Sequence, residues 1–406
     1  MKKIALVGLY YENNLGDPLM VDCVEYMYKK IAKSRNEKVS FEYVDLFGRK
    51  SETDLYYSTK LNVIQEFSRY SLGAVSKVVN KVVPSQYNRI QYLKWKSNPN
   101  LYKRYYKYFR EKLKDVDMVV VVGGSLVKFR LIRDFHNPMH VLIEVAKEHG
   151  INVYLNAIGV ENGYDENDFG CQTVKDYLNY ENIKLITTRD DIDTLKKYIP
   201  EKKMPIYRVS DTAVWCDEIF NMDLNINSDI VGIGIIDPKR FIQYEQGISE
   251  EYYTKLIIDI ANVLTRRGLK WRLFTNGHVG DYEFGMELLK MMNLGPDKLI
   301  PRPVEYRELI DTINNFKAIL ASRLHACIIG YSLNKVVVGL DWNDKVLFFG
   351  EAINYPERFS KPKDVDAESV VRKLERAMNE GYDQEYRSKY RKTIIESIEK
   401  SLDFMK

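Results

Sequence analysis

Short runs of Val, Ile and Leu alternate with longer amphipathic stretches along the whole chain, and this alternation restricts the fold more than any other feature. The first series of runs is Lys3–Leu9, Val39–Asp45, Met118–Val122, Asn152–Ala157, Lys184–Thr188 and Ile206–Val209. A second series follows at Ile230–Ile236, Lys270–Thr275, Ala318–Ala321 and Val336–Leu340. Several are apolar almost without interruption, as strands are when a parallel sheet is covered on both faces. Between them, Pro18–Ala32, Met139–His149, Ser249–Arg267 and Glu305–Asn315 carry the apolar spacing of helices. Strand and helix in regular turn predict an α/β fold of doubly wound sheets.

The polar stretch Asp217–Asp229 separates the two series and reads as a linker. It divides the 406 residues into an α/β domain over 1–220, a second over 229–350, and a helical, charged C-terminal segment over 351–406. A composition 45% hydrophobic and 29% charged excludes a disordered chain. The four cysteines are far apart with no C-x-x-C pair, which excludes a zinc ribbon or a disulfide framework and fits a reducing cytoplasm. Five scattered histidines with no H-E-x-x-H give no metal site, and no cofactor is expected. No apolar run approaches the ~20 residues of a membrane helix. Met1-Lys2-Lys3 before Ile4–Tyr11 imitates a leader peptide, but Glu12, Asn13, Asn14 and Asp17 stand where small cleavage-site residues belong, so it reads as a first strand.

The net charge of +4 conceals an uneven distribution. From Lys77 to Lys114 the only acid is Glu111 among eleven Lys and Arg, with tyrosines interleaved at Tyr102, Tyr105, Tyr106 and Tyr108. Two readings fit this segment: a surface for anionic head groups, with aromatics at the lipid interface or on sugar, and a solvated helix whose tyrosines pack inward. Nucleic acid fits less well, because no binding motif accompanies the charge.

Candidate chemistry sits at the carboxyl ends of the strands, where open α/β sheets bind ligands. After the first strand, Asn14-Leu15-Gly16-Asp17-Pro18 opens a helix, with Asp17 expected as its N-cap, or with Asn14 and Asp17 facing a ligand at the helix N-terminus. Gly123-Gly124-Ser125 follows the third run, and Arg189-Asp190 the fifth; an arginine there can grip an anion or pair locally with the aspartate. Thr275-Asn276-Gly277-His278, with Asp281 beyond, ends another strand. Ser322-Arg323-Leu324-His325 then runs into a small-residue helix, joining an anion-binding group to one that titrates near neutral pH.

These pieces together resemble the polysaccharide pyruvyl transferase family: Asn14-Leu15-Gly16-Asp17, Gly123-Gly124, Ile158-Gly159, Arg189-Asp190, Ser210-Asp211, Asn276-Gly277 with Asp281, Ser322-Arg323-Leu324-His325-Ala326, and Asp341 with Lys345. The Arg-Leu-His segment is the most specific. The resemblance implies a GT-B-like pair of Rossmann-type domains facing a cleft, the first on the acceptor side and the second on the donor side. It implies transfer of the pyruvyl group of phosphoenolpyruvate, as co-substrate, onto two hydroxyls of a sugar in a cell-surface polysaccharide precursor, for capsule, exopolysaccharide or cell wall. The product would be a cyclic ketal, with phosphate released.

In that reaction His325, Arg323 and Asp17 are the expected catalytic residues, with His325 as general acid and Asp17 as acceptor of the hydroxyl proton. Arg189, Arg323, Leu324, His325, Asn276 and Gly277 would bind the donor, and Asn14, Gly16, Asp17, Gly123 and Gly124 the acceptor. The acceptor is expected to be lipid-linked or nucleotide-linked. The protein is expected in the cytoplasm, with a peripheral contact to anionic membrane through Lys77–Lys114 as a further expectation. The alternative on the same architecture is a nucleotide-sugar glycosyltransferase of polysaccharide synthesis.

Overall fold

The computed structural model describes residues 2–11, 14–50, 99–128, 135–199, 204–243 and 247–405. The 77–98 part of the basic stretch lies outside the described residues. By its internal contacts the chain forms two units, one of Met1–Tyr11, Met27–Val209 and Glu396–Lys406, the other of Glu12–Tyr26 and Ser210–Ile395.

The first unit is built on a parallel sheet of β1 (Lys2–Gly8), β2 (Val39–Asp45), β3 (Met118–Val122), β4 (Asn152–Ile158), β5 (Ile183–Thr188) and β6 (Ile206–Arg208), in the order β2-β1-β3-β4-β5-β6. Its central strands are apolar where both faces are covered, as Ile4–Val7 of β1 and all of β3 are buried, whereas the edge strands β2 and β6 are mostly half-buried or exposed. The helices are α1 (Gly16–Ser34), α2 (Pro99–Lys112), α3 (His136–Glu148), α4 (Phe169–Leu178) and α5 (Ile192–Tyr198), with α1 divided between the units after Tyr26.

The second unit carries β7 (Ile230–Gly234), β8 (Lys270–Phe274), β9 (Ala318–Ala321), β10 (Val336–Leu340) and a two-residue β11 (Phe359–Ser360), parallel and in the order β11-β10-β9-β7-β8. Around them run α6 (Cys216–Ile219), α7 (Lys239–Gln243), α8 (Glu250–Arg266), α9 (Val279–Met291), α10 (Tyr306–Asn314), α11 (Leu324–Ser332), α12 (Lys345–Ala352), α13 (Ala367–Glu380) and α14 (Gln384–Ser401). In each sheet the strand order reverses once, between β1 and β3 and between β7 and β9. The carboxyl ends beside such a reversal are where doubly wound folds place ligands.

The units are not the linear stretches expected from the sequence. The chain passes from one to the other at Val209–Ser210, and Asp217–Asp229 belongs inside the second unit. Its polar side chains serve packing: Asp217 accepts from Arg391 Nη2 at 2.5 Å and from Ser332 Oγ at 2.9 Å, and Asn225 donates to Asn315 Oδ1 at 2.9 Å. The 351–406 segment is helical except for β11, and its end returns to the first unit, where Tyr154 and Tyr28 hydroxyls bond to Ser397 and Ser401 at 3.0 and 2.6 Å.

Helix α2 settles how its tyrosines are used. Tyr105, Phe109 and Leu113, at helical spacing, are buried in the core of the first unit. Tyr102 and Tyr106 stack on each other and donate to Glu144 and Glu148 at 2.8 and 2.6 Å. Lys103, Lys107, Arg110 and Lys114 are left on the exposed face. No helix among the described residues is long and apolar enough to cross a membrane.

Candidate active site

The second unit gathers most of the sequence candidates at the carboxyl edge of its sheet. β9 ends at Ala321 and α11 begins at Leu324, so Arg323 is the extended residue before the helix and His325 lies in its first turn. Small and apolar residues, Ala326-Cys327-Ile328-Ile329-Gly330, bury α11 and fix this junction. The Asn14–Asp17 loop packs directly on it. A β-carbon placed on Gly16 would lie 2.0 Å from His325 Cγ and Nδ1, so the imidazole rests against bare backbone. One residue earlier, the Leu15 N–H donates to the Asn276 carbonyl at 3.5 Å. Asn14, Gly16, Asn276 and His325 are thereby brought into one neighbourhood.

Asp17 differs from expectation. Helix α1 starts at Gly16, which puts Asp17 inside the first turn instead of at the N-cap. The preceding turn is closed by Asn14: the Asp17 N–H donates to the Asn14 carbonyl at 3.0 Å, and Asn14 Nδ2 donates to Asp17 Oδ2 at 2.9 Å.

Arg323 is already half engaged. Its Nε and Nη2 donate to Asp281 Oδ2 and Oδ1 at 2.9 and 2.7 Å, a buried bidentate pair. Asp281 also accepts the Asp237 N–H at 2.9 Å, which ties the end of β7 into the same network. The guanidinium lies 5.6 Å from the centre of the Trp342 ring. Nη1 is the nitrogen not used by Asp281. The neighbouring His278 is half-buried, and burial together with the Arg323 charge lowers its pKa to about 4, so it is a neutral base near pH 7. Its position at the N-cap of α9, three residues before Asp281, was visible in the sequence, but its coupling to Arg323 was not.

Asn276 is buried, and neither Oδ1 nor Nδ2 has a hydrogen-bond partner among the described residues; Thr275 Oγ1 beside it is in the same condition. Gly277 turns the chain at φ 101°, and its carbonyl accepts from Arg302 Nη1 at 2.8 Å. After β10, Asp341 accepts the Asn343 and Asp344 N–H groups at 3.4 and 3.1 Å, and burial raises its pKa to about 6. Asp344 holds a left-handed backbone at φ 57° and pairs with Lys361 at 3.0 Å.

Arg189, Gly123 and Gly124 belong to the first unit. Gly123 and Gly124 take φ of 55° and 76°, which favours glycine, and let the chain turn from β3 back beside β4, where the Gly159 N–H donates to the Gly124 carbonyl at 2.6 Å. Asp190 is used locally: its Oδ2 accepts the Val160 N–H at 2.9 Å, and its N–H donates to Thr188 Oγ1 at 3.0 Å. Arg189 is buried next to it. Among the described residues no three His, Cys, Asp or Glu side chains cluster to hold a metal.

Solved structures define the class. A UDP-GlcNAc 2-epimerase from Methanocaldococcus jannaschii is similar with a TM-score of 0.56 at 12% identity, over 100% of both chains. A Listeria monocytogenes protein assigned as a UDP-N-acetylglucosamine 2-epimerase gives 0.56 at 9% identity, over 99% of this chain and 95% of that one. A trehalose-phosphate synthase from Burkholderia vietnamiensis gives 0.50 at 11%, over 99% and 96%. At these identities the likeness establishes the fold, which is of the GT-B type.

The sequence then specifies the branch. The polysaccharide pyruvyl transferase family model matches residues 66–344, and the chain belongs to that family of transferases. No curated protein matches it by sequence.

Proposed function

We propose that the protein transfers the pyruvyl group of phosphoenolpyruvate to two hydroxyls of a sugar in a polysaccharide precursor, forming a cyclic ketal and releasing phosphate. Family membership supports the reading, and one observation carries it: Arg323 and His325 stand at the β9–α11 junction, the arginine locked by Asp281 and the imidazole seated on Gly16. The donor's methylene carbon takes a proton from His325, which leaves an oxocarbenium-like centre. A sugar hydroxyl adds to that centre, phosphate departs, and the second hydroxyl closes the ring. Of the two hydroxyl protons, one replaces the proton now on the methyl group and the other leaves with phosphate. Atoms balance without water or any further reactant. Arg323 Nη1 meets a donor anion, and Asp17 accepts the hydroxyl proton. Arg189 of the first unit is a separate candidate for donor affinity, and Gly123-Gly124 for the acceptor. The exposed basic face of α2 is a candidate contact with anionic lipid, which suits a lipid-linked acceptor.

The test is to incubate the purified protein with phosphoenolpyruvate and a panel of lipid-linked and nucleotide-linked sugars in deuterium oxide. Phosphate release together with deuterium in a ketal methyl group is the expected result. Consumption of a nucleotide sugar with phosphoenolpyruvate untouched would establish the glycosyltransferase reading instead. His325→Gln should lose about 10²–10⁴-fold in turnover while still binding the donor.

A further inference from the structure

The sequence grouped Asn276 with the donor, and its hydrogen-bonding capacity argues otherwise. A carboxamide offers two N–H donors and an acceptor oxygen. In Asn276 both ends are buried and neither has a partner among the described residues, so exchanging the two assignments of the amide changes nothing. Thr275 Oγ1, the adjacent buried group, likewise can donate and accept and does neither with any described residue. Buried polar groups are nearly always paired, and those that are not commonly await a ligand. Phosphoenolpyruvate presents only acceptor oxygens, so it could satisfy Nδ2 and would leave Oδ1 facing another electron-rich atom. A sugar hydroxyl both donates and accepts. Two neighbouring hydroxyls, which ketal formation requires, would satisfy both ends of the amide.

Location agrees with chemistry. The main-chain carbonyl of Asn276 accepts from the Leu15 N–H, and the next residue, Gly16, carries the His325 ring. A hydroxyl bound at Asn276 is therefore held beside the loop on which the proposed acid rests. We propose that Asn276, with Thr275, is the hydroxyl-recognising part of the acceptor site: it selects a sugar by a pair of hydroxyls and does not contact the donor anion. The inference deepens the pyruvyl-transfer reading by assigning the acceptor side of the same site.

Two binding measurements on wild type, Asn276→Ala and Asn276→Asp test it. Calorimetry with phosphoenolpyruvate should give Asn276→Ala an affinity within about threefold of wild type, because no donor contact is lost. Asn276→Asp, by contrast, sets a carboxylate beside the reacting donor and should weaken its binding. Saturation-transfer NMR with methyl glycosides of glucose, galactose and mannose should show at least one bound by wild type, with the signal reduced about fivefold or more in Asn276→Ala. Asn276→Ala should melt no lower than wild type, since the amide supports nothing in the protein. A tenfold loss of phosphoenolpyruvate affinity in Asn276→Ala overturns the proposal, as does a glycoside signal that survives in Asn276→Ala, or no glycoside bound by wild type. A lower melting temperature for Asn276→Ala overturns it too, by showing the amide to be structural. If wild type ignores phosphoenolpyruvate, the pyruvyl-transfer reading fails, and the glycoside arm still decides the role of Asn276.

Discussion

The imidazole of His325 occupies the space that a β-carbon at position 16 would fill. Glycine at 16 is therefore a requirement of contact, set by a side chain more than three hundred positions away in sequence. Gly16→Ala should leave α1 intact, because alanine favours a helix. It should drive the His325 ring out of place and lower phosphate release by about 10²-fold or more, a loss approaching that of removing the acid. Thermal melting measured alongside should separate displacement of the ring from loss of fold. Near-normal turnover in Gly16→Ala would show that His325 does not act from this position.

The Arg323–Asp281 pair should be strongly coupled. Removing either partner leaves the other charge buried and unpaired, at about 3–5 kcal/mol, whereas replacing both with apolar residues should cost less than the sum. Arg323→Lys should not rescue, because an ammonium cannot span both carboxylate oxygens. Denaturant unfolding of the two single variants and the double variant checks this, and additive losses would contradict the geometry.

Asp341 gives a pH dependence of definite sign. Its pKa rises from 3.8 to about 6 in the folded protein, chiefly through burial, with the charge of Asp344 raising it further and the Asn343 and Asp344 N–H groups and the Lys361 charge opposing. The folded state thus holds this proton more tightly than the unfolded chain. The stabilisation is complete below the unfolded value and is lost as pH rises through about 6. Asp341→Asn should raise stability by about 2–3 kcal/mol at about pH 7.5 and leave it nearly unchanged at about pH 3.5. Equal effects at the two pH values would refute the shift.

The basic face of α2 is open to a direct test. Lys103, Lys107, Arg110 and Lys114 are exposed and make no ion pair with the described residues. Binding to vesicles containing anionic lipid should fall steeply between about 50 and 300 mM salt, since the charges are screened. Replacing Lys103, Lys107 and Arg110 with glutamate should abolish binding without lowering the melting temperature. Equal retention on neutral vesicles would leave the face a solvated one.

The central strands were legible because burial on both faces demands unbroken apolar runs, and Met118–Val122, Ala318–Ala321 and Val336–Leu340 begin and end where expected. The edge strand Val39–Asp45, mostly half-buried, was legible by its alternation. β11 was not, because two residues carry no period. Arg323 and His325 stood out through residue type and position. The engagement of Arg323 could not be read, since its partner Asp281 lies 42 residues away and meets it only through the sheet order. The tyrosines of α2 were ambiguous because Tyr and Lys repeat at the same spacing. The face that turns inward is set by Tyr105, Phe109 and Leu113 in the core and by the acids of α3 that receive Tyr102 and Tyr106. The linker failed for a similar reason: Asp217 resembles solvated chain until Arg391 is placed against it.

The interleaving of the two units has a consequence for how the protein is made. The first unit draws Met1–Tyr11 from the start of the chain and Glu396–Lys406 from its far end, and the second takes in Glu12–Tyr26. Tyr154, deep in the first unit, bonds to Ser397, and Tyr28 to Ser401. During synthesis the amino-terminal half therefore emerges from the ribosome with these hydroxyls and its β1–β6 sheet still lacking their closing helix. It must wait while nearly two hundred further residues are translated. The unit whose strands are made first is thus the last to be completed, because the second unit has all its residues by Ile395 and the first does not.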